Sequence, residues 1–428
     1  MSGRRVVVTG LGLVTPLGVG VENTWTSLAA GRSAVALLNL LGDGGEPRYL
    51  AAPVPAFNVR SYVPDRKLLR VMCRTDRFGL AAAQMAVADA GPADLESSRK
   101  AAFIATGKEA GPIENMFDAI RASRDDSGEM NPRLLGSRGL AHIPPLTLVA
   151  GLPNGCLFAV SVLHSINGAN TCFLGSGTAG LVAIGAAYQA VREGEADWAI
   201  AGGHDTGVDR WSCANFHRLG MLSSRTSDPA RAVRPFDRRR DGFALGEGAA
   251  MVVLEERRRA LARGASVWAE IVGYAATCDG AGMIKPAANG SALAAAIAGA
   301  LRNASLEPGD VDYLNAYASA TAVGDLSELR GLETVFGDSH RRPLVSGIKA
   351  ATGHLLAASG AAEFGAAVLA LHHQVAPPTL NLDEPDPECH FDCVPHQARP
   401  AAITTAVTIS RGIGGQNSAL VMRRPEGA

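Results

Sequence analysis

The apolar positions of the chain fall into two alternating patterns. Short continuous runs at 101–105, 198–201, 249–254, 267–273 and 406–410 have the length and composition of buried strands. Between them, 76–90, 178–192, 291–303 and 327–336 carry apolar residues at helical spacing. Alternation of this kind predicts an α/β protein in layers, with mainly parallel strand pairing. A second strand-and-helix set begins near Trp268, which predicts two similar halves, 1–260 and 261–428, joined by the charged segment 255–263 as a surface helix.

The first thirty residues predict a strand at 5–9, a turn at Gly10-Leu-Gly12 and a helix at 21–30. The turn does not make a dinucleotide site: the third glycine of that spacing is missing, and Thr15-Pro16 interrupts the helix start. Segment 121–145 is polar, then rich in Gly and Pro, and reads as a surface loop or as an arm that orders against a partner.

Composition narrows the function classes. Of 428 residues 47% are hydrophobic and 19% charged, far from the composition of disorder, and Ala and Gly dominate the apolar share, which points to closely spaced layers. Forty basic against forty-one acidic residues leave no footprint for nucleic acid. The basic stretch Arg238 to Arg240 reads as a solvated turn or as a docking patch for an acidic carrier protein. Apolar runs such as 177–191 are too short and too interrupted by Gly to span a bilayer. The opening residues show no apolar leader, and seven scattered cysteines argue against a disulfide framework, so a cytoplasmic protein is expected.

Specific motifs then carry the reading further. The stretch Pro235-Phe-Asp-Arg-Arg-Arg-Asp-Gly-Phe-Ala-Leu-Gly-Glu-Gly-Ala249 resembles the signature of β-ketoacyl synthases. The similarity extends through Val8-Thr-Gly-Leu-Gly-Leu-Val-Thr-Pro-Leu-Gly18, Ala201-Gly-Gly203, Met221-Leu-Ser-Ser224, Lys349-Ala-Ala-Thr-Gly-His354 and Gly412-Ile-Gly-Gly-Gln-Asn417, and so covers almost the whole chain. This resemblance implies a thiolase-like five-layer αβαβα fold built from two related halves, here 1–260 and 261–428, in a protein that works as a dimer.

In that family a cysteine thiolate at a helix N-terminus takes the acyl chain, and two histidines assist decarboxylation of a malonyl unit. Counting back from Ala201-Gly-Gly203 and Ile184-Gly185 places Gly177 at the nucleophile position, and glycine cannot form a thioester. The first histidine belongs to a His-Gly-Thr-Ser-Thr motif that reads Tyr317-Ala-Ser-Ala-Thr321 here. A phenol titrates near pH ~10 and cannot simply replace an imidazole. The second histidine matches His354 and the supporting lysine Lys349, with Asp325 and Glu328 in the same pattern; these have either a structural or a residual catalytic role. A family His-Met-Thr segment appears as Gly282-Met283-Ile284, without the hydroxyl that helps to hold a pantetheine arm.

Among the other cysteines, Cys172 lies on the strand leading to the turn, and its use would demand a different register. It reads as a small buried hydrophobe; Cys156 and Cys213 lie further off. Cys389, His390, Cys393 and His396 have the look of a metal set, but the family carries a similar stretch there without metal, so no metal is expected.

Within the family, subunits without a nucleophile are the chain length factors of type II polyketide synthases, and the resemblance points there. It implies a non-catalytic subunit, inactive alone, that heterodimerises with an active ketosynthase, closes the tunnel for the growing chain, and binds no cofactor itself. The phosphopantetheine of acyl carrier protein would reach the partner subunit. A reducing, polyene-type system fits, since the retained lysine and histidine depart from the aromatic subtype. Met116 and Phe117 are candidates for the tunnel or interface, and Ile413 stands at the family's gating phenylalanine. The alternative is a divergent active β-ketoacyl synthase or a malonyl-carrier decarboxylase that uses His354.

Overall fold

The computed structural model describes residues 3–40, 48–63, 65–107 and 114–426. Its principal strands are β1 (Val6–Thr15), β2 (Lys100–Thr106), β3 (Asn170–Leu174), β4 (Trp198–Thr206), β5 (Leu245–Glu256), β6 (Ala269–Cys278), β7 (Tyr313–Asn315), β8 (Leu344–Ser346), β9 (Thr405–Arg411) and β10 (Gln416–Arg423). The helices that pack on them are α1 (Val21–Ala29), α2 (Arg74–Ala90), α3 (Ala179–Glu193), α4 (Ser291–Ala304), α5 (Ala322–Phe336) and α6 (Ser359–His373).

The strands are hydrogen-bonded in the order β8-β7-β9-β10-β6-β1-β5-β4-β2-β3. The halves meet where Val6 to Val8 of β1 pair antiparallel with β6. Three hydrophobic clusters define the layers. α2 packs on one face of the first half, with Ile104, Ile200, Met251 and Val253. α4 and α5 pack on the outer face of the second, with Val407, Ile409, Ala419 and Val421. α3 and α6 lie between, among Val6, Val8, Leu11, Leu13, Leu420 and Met422. This is the α/β thiolase-like fold. α6 is buried from Ser359 to Leu371, as a helix enclosed between two sheets must be. Small residues set the close crossing of α3 and α6: a Cβ on Gly180 would stand 2.9 Å from the Ala361 Cβ, and one on Gly360 2.9 Å from the Leu181 Cβ. Here the Ala and Gly richness of the chain has its physical use.

Three expectations are corrected. Pairing is not mainly parallel: β1 with β5, β4 with β5, β6 with β10 and β9 with β10 are antiparallel, and parallel pairs link β2 to β3 and β4 and β7 to β8 and β9. Gly10-Leu-Gly12 is not a turn but lies within β1, where α2 crosses so closely that a Cβ would come within 2.0 Å of the Ala86 carbonyl oxygen at Gly10 and 1.9 Å of that of Ala82 at Gly12. Glycine marked close approach there, and local pattern alone does not separate that from a turn. In the joining segment only Arg257–Ala262 is helical, because Glu255 and Glu256 finish β5.

At the start of β4, buried Asp197 receives Arg99 through Nε at 3.0 Å, Arg259 at 3.3 Å and Arg4. Hydrogen bonding from Arg99, helped by Arg4, holds its carboxyl down at about 2. A carboxyl with a folded pKa below its unfolded value stabilises the fold above pH ~4, and the contribution is lost as pH falls through the folded pKa. Asp197→Asn should therefore cost about 1–2 kcal/mol at pH 7, discounted for the partly exposed arginines. Denaturant unfolding should show that gap closing near pH 2; a gap that ignores pH would sink the assignment.

Candidate active site

The site forms where the two halves bring loop ends together. Gly177 stands two residues before the start of α3, whose N-cap Thr178 makes no side-chain cap hydrogen bond. The Gly177 carbonyl accepts the Ser410 hydroxyl at 2.7 Å and the Gly360 N–H at 3.2 Å, which fixes this turn against β9 and α6. No room is left for a side chain: a Cβ at 177 would lie 2.2 Å from the Arg411 carbonyl oxygen and 3.1 Å from Cε2 of Tyr317. The Tyr317 ring thus stands beside the space a nucleophile would need.

Tyr317 follows β7 on a turn held from α5. Glu328 accepts the N–H groups of Tyr317 at 2.8 Å and Ala318 at 2.9 Å. Ala318 has φ 47 and Ala320 φ 59, left-handed conformations that cost a non-glycine residue about 1–2 kcal/mol each. Burial raises Glu328 to about 8 and Asp325 to about 6, with neighbouring Arg411 opposing the first shift and Arg240 the second. Asp325 accepts the Phe236 N–H at 2.8 Å, so the signature stretch is tied to this turn.

The Tyr317 hydroxyl lies 2.8 Å from Nε2 of His354. Nδ1 of that ring accepts the Leu356 N–H at 3.0 Å. A ring nitrogen that accepts carries no proton, so neutral His354 holds its proton on Nε2 and donates it to the Tyr317 oxygen. Burial first and Lys349 second hold His354 well below the usual imidazole range, which keeps it neutral. Burial pushes the Tyr317 phenol up, so it too remains protonated. With its oxygen engaged as acceptor, the Tyr317 O–H is free to donate. Lys349 sits 4.0 Å from the centre of the Tyr317 ring, donates to the Tyr317 carbonyl, and pairs with buried Glu363. Phe243 closes the other side of His354, with ring centroids 4.9 Å apart.

Tyr317 opens on a small cavity of about 50 Å³ whose wall also includes Phe243, Lys285, Thr321, Arg411 and Ile413; His354 is set behind it. Sequence reading placed Tyr317, Lys349, His354, Gly177 and Ile413 in one region, and the structure brings them together. Met116 and Phe117 are half-buried on the helix Glu114–Ala122, with Arg210 stacked 5.1 Å over Phe117, and neither borders this cavity. The N–H of Ile413 donates to the Ser176 hydroxyl at 2.9 Å. Ser176, Arg411 and Phe243 were missed, since their place is visible only once β9 and the signature stretch converge. Among the described residues no cysteine borders the cavity: Cys172 is half-buried on β3 with Sγ 3.6 Å from the Pro153 carbonyl, and burial lifts the Cys213 thiol to about 12. Among the described residues no three His, Cys, Asp or Glu side chains converge as a metal site. No helix of the described residues is long and apolar enough to cross a membrane. The basic stretch is not simply a solvated turn: Arg240 is buried and bridges Asp386 at 2.7 Å to the Ala322 carbonyl at 2.9 Å.

The fold and the site together define a thiolase-fold protein of the condensing type. The chain belongs to the β-ketoacyl synthase family: residues 3–260 match the family's N-terminal domain and 268–383 its C-terminal domain. It is 36% identical, over 99% of its length and 100% of the relative, to 3-oxoacyl-[acyl-carrier-protein] synthase 2 of Rhizobium meliloti (strain 1021). Among solved structures it superposes on a β-ketoacyl synthase from Burkholderia phymatum STM815 with a TM-score of 0.86 at 32% identity, covering 99% of this chain and 100% of that one. It superposes equally, with a TM-score of 0.86 at 31% identity and the same coverage, on the ishigamide ketosynthase/chain length factor.

These relatives correct the expectation of a chain length factor. Synthase 2 enzymes from other bacteria match over 98–99% of the chain at 33–35% identity, and it is these sequence relatives, named as synthases, that overturn the reading as a silent subunit. The reading of the chain as inactive alone falls with it, as does the obligatory heterodimer with an active ketosynthase. The error came from weighing one missing sulfur above the rest of the chain. A site of this family meets a phosphopantetheine arm carried by acyl carrier protein.

Proposed function

We propose that the chain is a divergent β-ketoacyl synthase whose own site decarboxylates malonyl groups held on acyl carrier protein. The observation that carries this is the 2.8 Å contact between Nε2 of His354 and the hydroxyl of Tyr317, a residue that lines the cavity. In the proposed step the bond from the malonyl α-carbon to its carboxylate breaks, carbon dioxide leaves, and the electron pair moves into the thioester as an enolate. Charge develops on the carbonyl oxygen, where a fixed O–H donor stabilises it more in the transition state than in the ground state. Water then returns a proton to carbon, giving the acetyl thioester. Lys285 on the cavity wall offers positive charge to the incoming anionic arm, whereas Arg411 there is already ion-paired with Asp279 at 3.3 Å.

The purified chain incubated with malonyl-carrier protein should release carbon dioxide, and His354→Ala should lower the rate by at least 10²-fold, the scale expected when an oxyanion donor system is broken. Mass spectrometry of the carrier reads the product directly. A carrier that stays malonylated at the rate of the enzyme-free control would overturn the proposal.

A further inference from the structure

Outside the site, two cysteines are placed to react with each other. Sγ of Cys389 lies 3.4 Å from Sγ of Cys393, in a turn between α6 and β9 that is pinned at both ends. On one side the Cys389 N–H donates to the Asp386 carbonyl at 2.8 Å, and Asp386 is ion-paired with buried Arg240 at 2.7 Å. On the other the Asp392 carbonyl accepts the Val345 N–H of β8 at 2.9 Å, and the Asp392 carboxylate is forked onto Arg399. The two sulfurs are therefore brought together by the fold and not by chance collision. A disulfide needs them to approach by only roughly a further 1.4 Å, within the reach of side-chain rotation.

Their surroundings differ in a useful way. Cys389 is half-buried, whereas Cys393 is 3% exposed. The hydrogen bond from Cys393 lowers the Cys389 thiol, while that same contact and burial raise Cys393. One sulfur thus has both access and the lower thiol pKa of the two, and the other waits beside it, an arrangement suited to an attacking and a resolving thiol.

We infer that Cys389 and Cys393 form a reversible dithiol/disulfide pair that reacts with small-molecule disulfides, Cys389 being the thiol that attacks first. With oxidised glutathione, the Cys389 thiolate bonds to one glutathione sulfur and the other leaves as a thiolate. Cys393, passing its proton to that leaving thiolate, then attacks the Cys389 sulfur and expels the second glutathione. Two protein thiols are oxidised to one disulfide, and one glutathione disulfide is reduced to two thiols. The pair lies near the cavity through Arg240, whose Nε donates to the carbonyl of the cavity residue Thr321 at 3.3 Å.

The test is exposure of the folded, fully reduced chain to oxidised glutathione, followed by non-reducing intact mass and peptide mapping. The expected product has lost two hydrogen masses and yields a peptide linked through Cys389 and Cys393. Cys393→Ser should instead accumulate a glutathione adduct on Cys389, and Cys389→Ser should leave position 393 unmodified. Exposed Cys278 serves as the measure of ordinary thiol reactivity. Both thiols remaining free while Cys278 is modified, a link from either to another cysteine, or an adduct first on Cys393 would each overturn the inference.

Discussion

Tyr317→Phe should cut carbon dioxide release from malonyl-carrier protein by roughly 10²–10³-fold, with most of the loss in kcat. The reason is the direction of the hydrogen bond to His354. Because the Leu356 N–H occupies Nδ1, the proton of the neutral ring points from Nε2 to the phenol oxygen, and only the phenol can pass a donor on to the cavity. Phenylalanine keeps the ring over Lys349 and beside Gly177 but removes the donor, so packing and function separate. His354→Ala breaks the same relay from behind. Because the two groups act as one unit, the double variant should be little slower than either single one. Losses that multiply would show that the two groups act independently and not as one relay, and a phenylalanine variant as fast as the parent would show that Tyr317 is only a packing residue.

Much of the architecture was legible because buried strands and amphipathic helices obey different periods. The runs at 101–105 and 406–410 each lie inside a strand only one residue longer at either end. What was not legible depended on contact between distant segments. Gly10 and Gly12 looked like a turn because their close neighbour, α2, lies more than sixty residues away. The same limit governed the site. His354, Lys349 and Tyr317 could be placed in one region by motif, but the tautomer of His354 depends on a backbone amide two residues on, and the role of Tyr317 depends on that tautomer. Gly177 was read as unable to carry an acyl group, because glycine has no side chain. What the sequence could not reveal is that the tyrosine and the glycine are complementary, the ring of one lying beside the space the other leaves.

That complementarity sets the second large effect. Gly177→Cys should not restore a condensing thiol. The new Cβ would press on the Arg411 carbonyl at 2.2 Å, and Arg411 is fixed in β9 by its register with Asn417 of β10 and by its guanidinium bonds to Asn417 and Ser327. On the other side it meets Tyr317, which Lys349 and the backbone bonds to Glu328 hold in place. Overpacking of this kind costs about 1–3 kcal/mol, and the variant should melt below the parent and take no label from acyl-carrier protein. Adding Tyr317→His relieves the 3.1 Å contact with the phenol ring, and acylation then requires the turn before α3 to move off the Arg411 carbonyl, against the Ser410 hydroxyl and Gly360 N–H that hold it. The double variant should regain part of the lost stability and become acylated, and the stability effects should be non-additive because the two positions touch. Stoichiometric acylation of the single variant at an unchanged Tm would show that the turn yields freely, and that the tyrosine is not what keeps a side chain out of position 177.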